Sequence, residues 1–327
     1  MLKYKSIRKD FSNIGLALFT IGIVTTVLQF FFSILWTVCT LRTPLANTEW
    51  AMWLVTFAPM YLIAVPIGLA IMRTVPADHH RPAKLGAKRF WMLMLMCMPV
   101  MYIGNIIGNV LSLVLSAGTA ENALLNYIDG NPLLTVLFAV IIAPIAEEYI
   151  FRKQIIDRLS RYSEKTAVLV SALTFGLFHM NLFQFFYAFG LGILFAYVYV
   201  RTHSVRYPIF MHMLINFQGS VIAPWIMKQL DPEFMDSLLT GHLDVTLLGE
   251  SLPGLLIYMT YSALLMLGVV GGLALLIINW KKRQLSPVSQ EMSSKEITKA
   301  AFCNVGMILF SVFCVIMILF SLLAGLL

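Results

Sequence analysis

The chain of 327 residues is 59% hydrophobic and only 12% charged, with a formal net charge of +7. A soluble domain carries about 25% charged residues, so this composition excludes an ordinary soluble domain. The basic residues lie in short patches beside long apolar blocks and do not alternate with aromatic residues. This arrangement is typical of membrane topology signals and argues against a nucleic-acid partner.

Nine apolar segments predict transmembrane helices. They are residues 13–40, 50–72, 90–116, 133–158, 165–180, 183–200, 206–224, 254–280 and 301–327. The fifth and sixth are short for a full crossing, which needs roughly 20 residues. The sequence therefore predicts an all-α fold, a polytopic transmembrane helix bundle of about eight core helices plus a ninth C-terminal span.

One polar, serine-rich stretch interrupts this pattern at residues 281–300. Its composition predicts a cytoplasmic linker between a transmembrane helix bundle at 1–280 and a C-terminal transmembrane helix at 301–327. The four cysteines lie within apolar blocks without a CxxC pair, so neither a disulfide framework nor a thiolate metal site is expected.

Loop charge predicts the orientation. Basic residues concentrate near the N-terminus and in loops that nine spans would place on one side: 73–89, 152–165, 201–206 and 281–299. The alternate loops 117–132 and 225–252 are acidic or nearly neutral. Because basic loops stay inside, we expect a multi-pass protein of the plasma membrane with a cytoplasmic N-terminus.

Polar and ionisable residues within apolar spans are costly and therefore mark candidate functional sites. Here they lie on the fourth, fifth and seventh spans: Glu147 and Glu148, then His179, then His212 and Asn216. A lone membrane His or Asn is often only a polar contact between helices, worth about 0.6–2 kcal/mol. Two carboxylates together with two imidazoles exceed what packing requires. The remaining histidines, His79, His80, His203 and His242, lie in loops and are expected to be solvated.

The spacing of these residues predicts how they face. Glu148 and Arg152 are four residues apart on one helix, the right separation for an ion pair. Glu147 points about 100° away from Glu148 and is free to face another group. His212 and Asn216 are also four apart and share one helix face. Three helices can thus present polar faces to one point in the bundle.

Such a set supports hydrolysis by two mechanisms. A carboxylate at low dielectric can act as general base toward water, with one histidine orienting the water. A second histidine and an amide can donate hydrogen bonds to the developing oxyanion. Alternatively, two histidines and one glutamate match the ligands of a catalytic zinc ion, leaving the other glutamate as base. No HExxH motif and no Gly-x-Ser-x-Gly elbow is present. The sequence leaves the choice between the two mechanisms open.

Three motifs resemble those of the CPBP family of intramembrane proteases, which includes type II CAAX prenyl endopeptidases and bacterial Abi-like proteins. EExxxR occurs at Glu147–Arg152, FxxxH at Phe175–His179 and HxxxN at His212–Asn216. All three stand in the family's order, each on its own predicted span. The resemblance covers residues at about 130–225, less than a third of the chain.

The resemblance implies that Glu147 activates water together with His179, and that His212 and Asn216 stabilise the oxyanion. Glu148 and Arg152 would orient the site. No cofactor is favoured. Zinc bound by Glu147, His179 and His212 is the alternative, because the family has been described both as metal-dependent and as metal-free.

The implied function is an endopeptidase that cuts a membrane-associated protein or peptide near the cytoplasmic interface. The alternative is a non-proteolytic membrane scaffold, such as a bacteriocin self-immunity or regulatory protein. A transporter with a Glu/His proton relay is a third reading, although no inverted repeat is evident.

The predicted depths of the motif residues in the membrane conflict with a common site. Counted from the cytoplasmic side, Glu147 and His212 lie about 5–7 residues deep and His179 about 13, a mismatch of roughly 10 Å. The three motifs can meet only if the fifth span tilts or protrudes.

Overall fold

The computed structural model describes residues 2–122, 130–240, 248–279, 285 and 293–323. Within these ranges the chain forms helices and contains no strand, which confirms the predicted all-α bundle. The helices are α1 (Leu2–Thr40), α2 (Glu49–Met72), α3 (Ala87–Leu115), α4 (Pro132–Leu159), α5 (Glu164–Phe178), α6 (Leu182–Thr202), α7 (Arg206–Met227), α8 (Pro232–Leu239), α9 (Leu248–Asn279), α10 (Ser294–Phe302) and α11 (Val305–Leu323).

Eight of the described helices are long and apolar enough to cross a membrane. The helix at the predicted fifth span, 165–180, is short as expected: α5 has 15 residues, about 22 Å, and is not among these eight. It ends early because Met180 adopts a positive φ of 53° and Asn181 caps the next helix by accepting from the Gln184 N–H. Helix α6, also expected to be short, has 21 residues and is long enough to cross.

Several of the basic segments meet at one end of the bundle. The Asp78 N–H donates to the Asp157 carbonyl at 2.7 Å, and the Ala83 N–H donates to the Thr202 carbonyl at 2.7 Å. Near the N-terminus, the Arg8 side chain donates to the Cys303 carbonyl at 3.0 Å. Elsewhere, the Asn131 N–H donates to the Glu49 carboxylate at 2.8 Å, which joins the start of α2 to the residue before α4. That the basic end faces the cytoplasm stays a prediction of the positive-inside rule.

Small residues allow the helices to approach closely. Gly104 on α3 lies against the α6 backbone, where an added Cβ would be 2.6 Å from the Tyr187 Cα. Gly108, one turn further, faces the carbonyl of Phe183 in the same way. On the other side of α3, Gly272 of α9 packs against the Leu95 backbone. Helix α3 therefore lies tightly between α6 and α9.

The C-terminal part of the predicted linker is helical. Ser293 and Glu296 form a reciprocal capping box, in which the Ser293 hydroxyl accepts from the Glu296 N–H and the Glu296 carboxylate accepts from the Ser293 N–H. This cap starts α10 at Ser294, inside the segment 281–300. Residues 281–284 and 286–292 lie outside the described residues. Helix α11 then packs along α1, where the Gly306 N–H donates to the Ser12 hydroxyl.

His203 lies in a loop as expected, but it is half-buried and not fully solvated. It follows α6 in the left-handed conformation, with φ 46°, and its ring stacks on that of His80 at 4.2 Å. Burial lowers the pKa of His203, and the neighbouring His80 lowers it further, while Asp157 and Glu164 act in the opposite direction. His79 and His80 are exposed as expected, and His242 lies outside the described residues.

We expect Gly104→Ala to destabilise the bundle, because its methyl group would collide with the α6 backbone. Overpacking of this kind costs about 1–3 kcal/mol. The matched control is Gly219→Ala on α7, where an added Cβ meets nothing within 4 Å. Thermal unfolding in detergent should show a lower midpoint for Gly104→Ala alone. Equal midpoints for the two variants would contradict the close approach of α3 and α6.

Acid should destabilise the protein in part through His203. Since its pKa is lowered on folding, its contribution is complete above the unfolded pKa of about 6.5 and is lost as the pH falls toward the folded value. His203→Asn keeps a side chain that tolerates the left-handed backbone but cannot titrate in this range. The fall in unfolding midpoint between about pH 7.5 and pH 5 should be smaller in this variant. An equal fall would contradict the prediction.

Candidate active site

A fully buried carboxylate lies at the centre of the site. Glu148 on α4 has no exposed side-chain surface, and its Oε2 lies 2.9 Å from Arg152 Nε, as the i,i+4 spacing predicts. The two atoms form an ion pair whose alignment does not meet hydrogen-bond geometry. The other oxygen, Oε1, lies 3.0 Å from His212 Nδ1 on α7. Glu148 therefore links two helices.

Arg152 is held between two aromatic rings. Its guanidinium carbon lies 4.3 Å from the centre of the Phe175 ring on α5 and 5.5 Å from that of Phe195 on α6. Rings at such distances attract a desolvated cation through their quadrupoles. Nη1 and Nη2 are buried without a hydrogen-bond partner among the described residues. The Glu148–Arg152 pair thus contacts α5, α6 and α7 from α4.

Glu147 has a different environment from its neighbour. Its side chain is 16% exposed, and its Oε2 lies 3.9 Å from His212 Nε2. The His212 ring therefore lies between the two carboxylates, with Nδ1 toward Glu148 and Nε2 toward Glu147. Because Glu148 occupies Nδ1, it fixes the orientation in which Nε2 faces Glu147.

Phe175 brings the second motif beside the third. The His179 Nδ1 donates to the Phe175 carbonyl at 2.9 Å, and a carbonyl only accepts, so the proton is on Nδ1 and Nε2 carries a lone pair. The Phe175 ring is edge-on to His179 at 4.9 Å and to His212 at 5.8 Å. The phenylalanine of the FxxxH motif is thus a spacer between the two imidazoles.

Asn216 hydrogen-bonds to an irregular turn of α4. Its Nδ2 donates to the Ala139 carbonyl at 2.8 Å. The π-helical turn Val136–Ile142 sends the Ala143 N–H to Phe138, and Pro144 has no N–H, so the Ala139 carbonyl is available. The second N–H of the Asn216 amide remains for another acceptor.

The depth mismatch expected from the sequence does not separate the motifs, which meet around Phe175. Helix α4 continues to Leu159, so Glu147 lies 12 residues, about 18 Å, above its end. His179 follows α5, 15 residues above its start at Glu164. The predicted span already ran to residue 158, so the mismatch arose because depth was counted from a point within this helix and not from its end.

In the part of the chain that the structure describes, no three His, Cys, Asp or Glu side chains are grouped to hold a metal ion. Glu148 and the Phe175 carbonyl occupy the Nδ1 atoms of His212 and His179. Zinc at Glu147, His179 and His212 would need both Nε2 atoms and a closer approach of the three side chains. In the positions that the structure gives them, these three side chains do not form such a group.

Sequence reasoning assigned no role to three aromatic residues of the site. Phe195 packs on Arg152 and His212. Tyr61 on α2 and Tyr187 on α6 lie close enough to Glu147 for its charge to act on their hydroxyls. In apolar spans such residues resemble any packing aromatic, so only the structure identifies them. The spacing of Phe175 four residues before His179 was the one available signal.

Residues 129–218, which contain all three motifs, match the family described as Rce1-like type II CAAX prenyl endopeptidase. This segment is therefore similar to that family over about a quarter of the chain. No solved structure matches the chain.

Two bacterial proteins are similar to this chain. The putative membrane peptidase YdiL of Bacillus subtilis (strain 168) is 32% identical over 166 residues, which are 48% of this chain and 66% of the relative. The membrane-embedded CAAX protease MroQ of Staphylococcus aureus (strain USA300) is 38% identical over 106 residues, 30% of this chain and 40% of the relative. The chain thus matches less than two thirds of either relative's length.

We expect Arg152→Met to destabilise the protein by about 3–5 kcal/mol, because it leaves the buried Glu148 charge without its cation. The double variant with Glu148→Gln should regain part of this loss, since no carboxylate then needs a partner. Lys153→Met is the neighbouring control: the lysine is 42% exposed, and its buried partner Asp157 keeps a hydrogen bond from the Tyr199 hydroxyl, so we expect a smaller loss. Denaturation in detergent measures the free energy of unfolding of all three variants. Equal losses for Arg152→Met and Lys153→Met would contradict the prediction.

Proposed function

We propose that this protein is an intramembrane endopeptidase that hydrolyses a peptide bond of a membrane-associated protein or peptide near the cytoplasmic interface. The observation that carries the proposal is the unequal environment of two adjacent carboxylates. Glu148 is fully buried and paired, whereas Glu147 is partly exposed and faces His212 Nε2. Two carboxylates placed differently at one site can take different roles in catalysis.

Glu147 is the general base in this proposal. It accepts a proton from a water molecule, and the water oxygen forms a bond to the carbonyl carbon of the substrate. His179 helps to orient that water through Nε2. As the carbon–nitrogen bond breaks, Glu147 returns the proton to the leaving amine nitrogen.

The oxyanion that develops on the substrate carbonyl requires hydrogen-bond donors. The free N–H of the Asn216 amide is one, and the His212 ring, which Glu148 orients through Nδ1, supplies the other. Glu148 and Arg152 position this side of the site and do not touch the substrate. Each step of this proposed mechanism uses only side chains of the protein and a water molecule.

The family match and the two relatives support a peptidase. One relative is named a putative membrane peptidase and the other a membrane-embedded CAAX protease. We infer from these names that the substrate of this chain is also a membrane-associated polypeptide. A non-proteolytic scaffold or self-immunity protein would not need a partly exposed Glu147 beside a buried, paired Glu148.

The test compares wild type with Glu147→Gln in detergent, using a library of candidate peptides with and without a strong zinc chelator. Removal of a general base typically costs about 10²–10⁴-fold in rate. We expect a loss of this size in Glu147→Gln, at wild-type stability, and no effect of the chelator. Glu233→Gln, an exposed acid on α8, is the control and should cleave normally.

Each other outcome has a distinct meaning. Cleavage that the chelator stops and zinc restores would overturn the metal-free mechanism and favour ligation by Glu147, His179 and His212. A well-folded Glu147→Gln variant that cleaves like wild type would exclude Glu147 as the base.

A further inference from the structure

Tyr61 carries a buried hydroxyl that the fold does not use. The oxygen is closed off from solvent and has no hydrogen-bond partner among the described residues. A buried hydroxyl without a partner costs about 1–3 kcal/mol. Phenylalanine at this position would avoid the cost and fill the same space, so packing does not explain the tyrosine.

An aromatic column positions this side chain. Trp53, Phe57 and Tyr61 lie four residues apart on α2 and stack in succession, with ring centres 5.4 and 5.7 Å apart. Phe138 of α4 stacks on the first two at 5.3 Å. The column therefore fixes Tyr61 against the helix that carries Glu147.

Helix α2 is irregular at this point. Pro59–Ala64 form a π-helical turn that includes Tyr61. Such turns change the face on which the following side chains lie, and they occur frequently at functional sites. The Tyr61 hydroxyl makes no hydrogen bond to Glu147 as the side chains are placed, but the carboxylate is near enough for its charge to act on the hydroxyl.

Tyr187 offers an instructive contrast. It also lies near Glu147, but its hydroxyl already hydrogen-bonds to the Gln184 side chain. Of these two phenols, only Tyr61 has a hydroxyl without a hydrogen-bond partner among the described residues.

We propose that Tyr61 is a positioning residue for Glu147: its hydroxyl donates a hydrogen bond to the carboxylate, directly after rotation of the glutamate side chain or through one water. This inference rests on the proposed function, because it assigns Tyr61 the task of orienting the general base. The bond holds the carboxylate in the geometry in which it receives the proton of the attacking water.

The first test is Tyr61→Phe, which keeps the stacked ring and removes only the hydroxyl. We expect kcat for a peptide that wild type cleaves to fall at least tenfold, with KM unchanged. Thermal stability should stay equal or rise, because an unpaired buried hydroxyl is lost. The control is Tyr102→Phe on α3, whose hydroxyl accepts a hydrogen bond from Gln218; it should keep its kcat.

A second readout needs no substrate. Dicyclohexylcarbodiimide modifies protonated carboxyl groups in membranes, and mass spectrometry can follow its addition to Glu147. Loss of a hydrogen bond to the charged form favours the protonated form. Tyr61→Phe should therefore be modified at Glu147 several-fold faster than wild type at neutral pH, with Glu147→Gln as the blank.

The outcomes separate the two proposals. If Glu147→Gln abolishes cleavage while Tyr61→Phe keeps wild-type kcat and labelling rate, the inference about Tyr61 is wrong and the proposed function stands. If Glu147→Gln cleaves normally, the proposed function fails, and the labelling rate alone decides whether Tyr61 contacts Glu147. A drop in kcat accompanied by an equal drop in stability would make Tyr61 merely structural.

Discussion

The arrangement of the site depends on the buried charge of Glu148. A carboxylate removed from solvent costs several kcal/mol unless a cation and hydrogen bonds compensate it. Arg152 supplies the cation from one turn further along α4, and His212 supplies a nitrogen from α7. Arg152 in turn lies against the rings of Phe175 and Phe195. Satisfying one charge therefore fixes the relative positions of α4, α5, α6 and α7.

This constraint explains how adjacent residues acquire different chemistry. Side chains of successive residues on a helix diverge by about 100°, so a helix that directs Glu148 into the bundle turns Glu147 toward another face. His212 lies between the two carboxylates. The buried Glu148 orients its ring at Nδ1, and Nε2 then faces the partly exposed Glu147. The positions that hold the fold together thus also orient the groups proposed to carry out hydrolysis.

Irregular turns of the helices complete the site. The π-helical turns Pro59–Ala64, Val136–Ile142 and Tyr149–Gln154 lie on the two helices that carry Tyr61 and Glu147. One of them, with Pro144, makes the Ala139 carbonyl available to Asn216. The prolines were visible in the sequence, but which carbonyl they release depends on the hydrogen-bond register of the folded helix.

The sequence by itself determined the helical class, all but one of the spans and the residues of the three motifs. Hydrocarbon admits only segments that satisfy their own backbone hydrogen bonds, and polar residues inside such segments stand out by their cost. The Glu148–Arg152 pair also followed from helix periodicity. The tertiary structure decided the rest: the pairing of Glu148 with His212 across 64 residues, the place of Phe175 between two imidazoles, the stacking of His203 on His80, and the burial of the Tyr61 hydroxyl. Hydropathy and periodicity are properties of one segment, whereas these contacts join helices distant in sequence and exist only once the helices have packed.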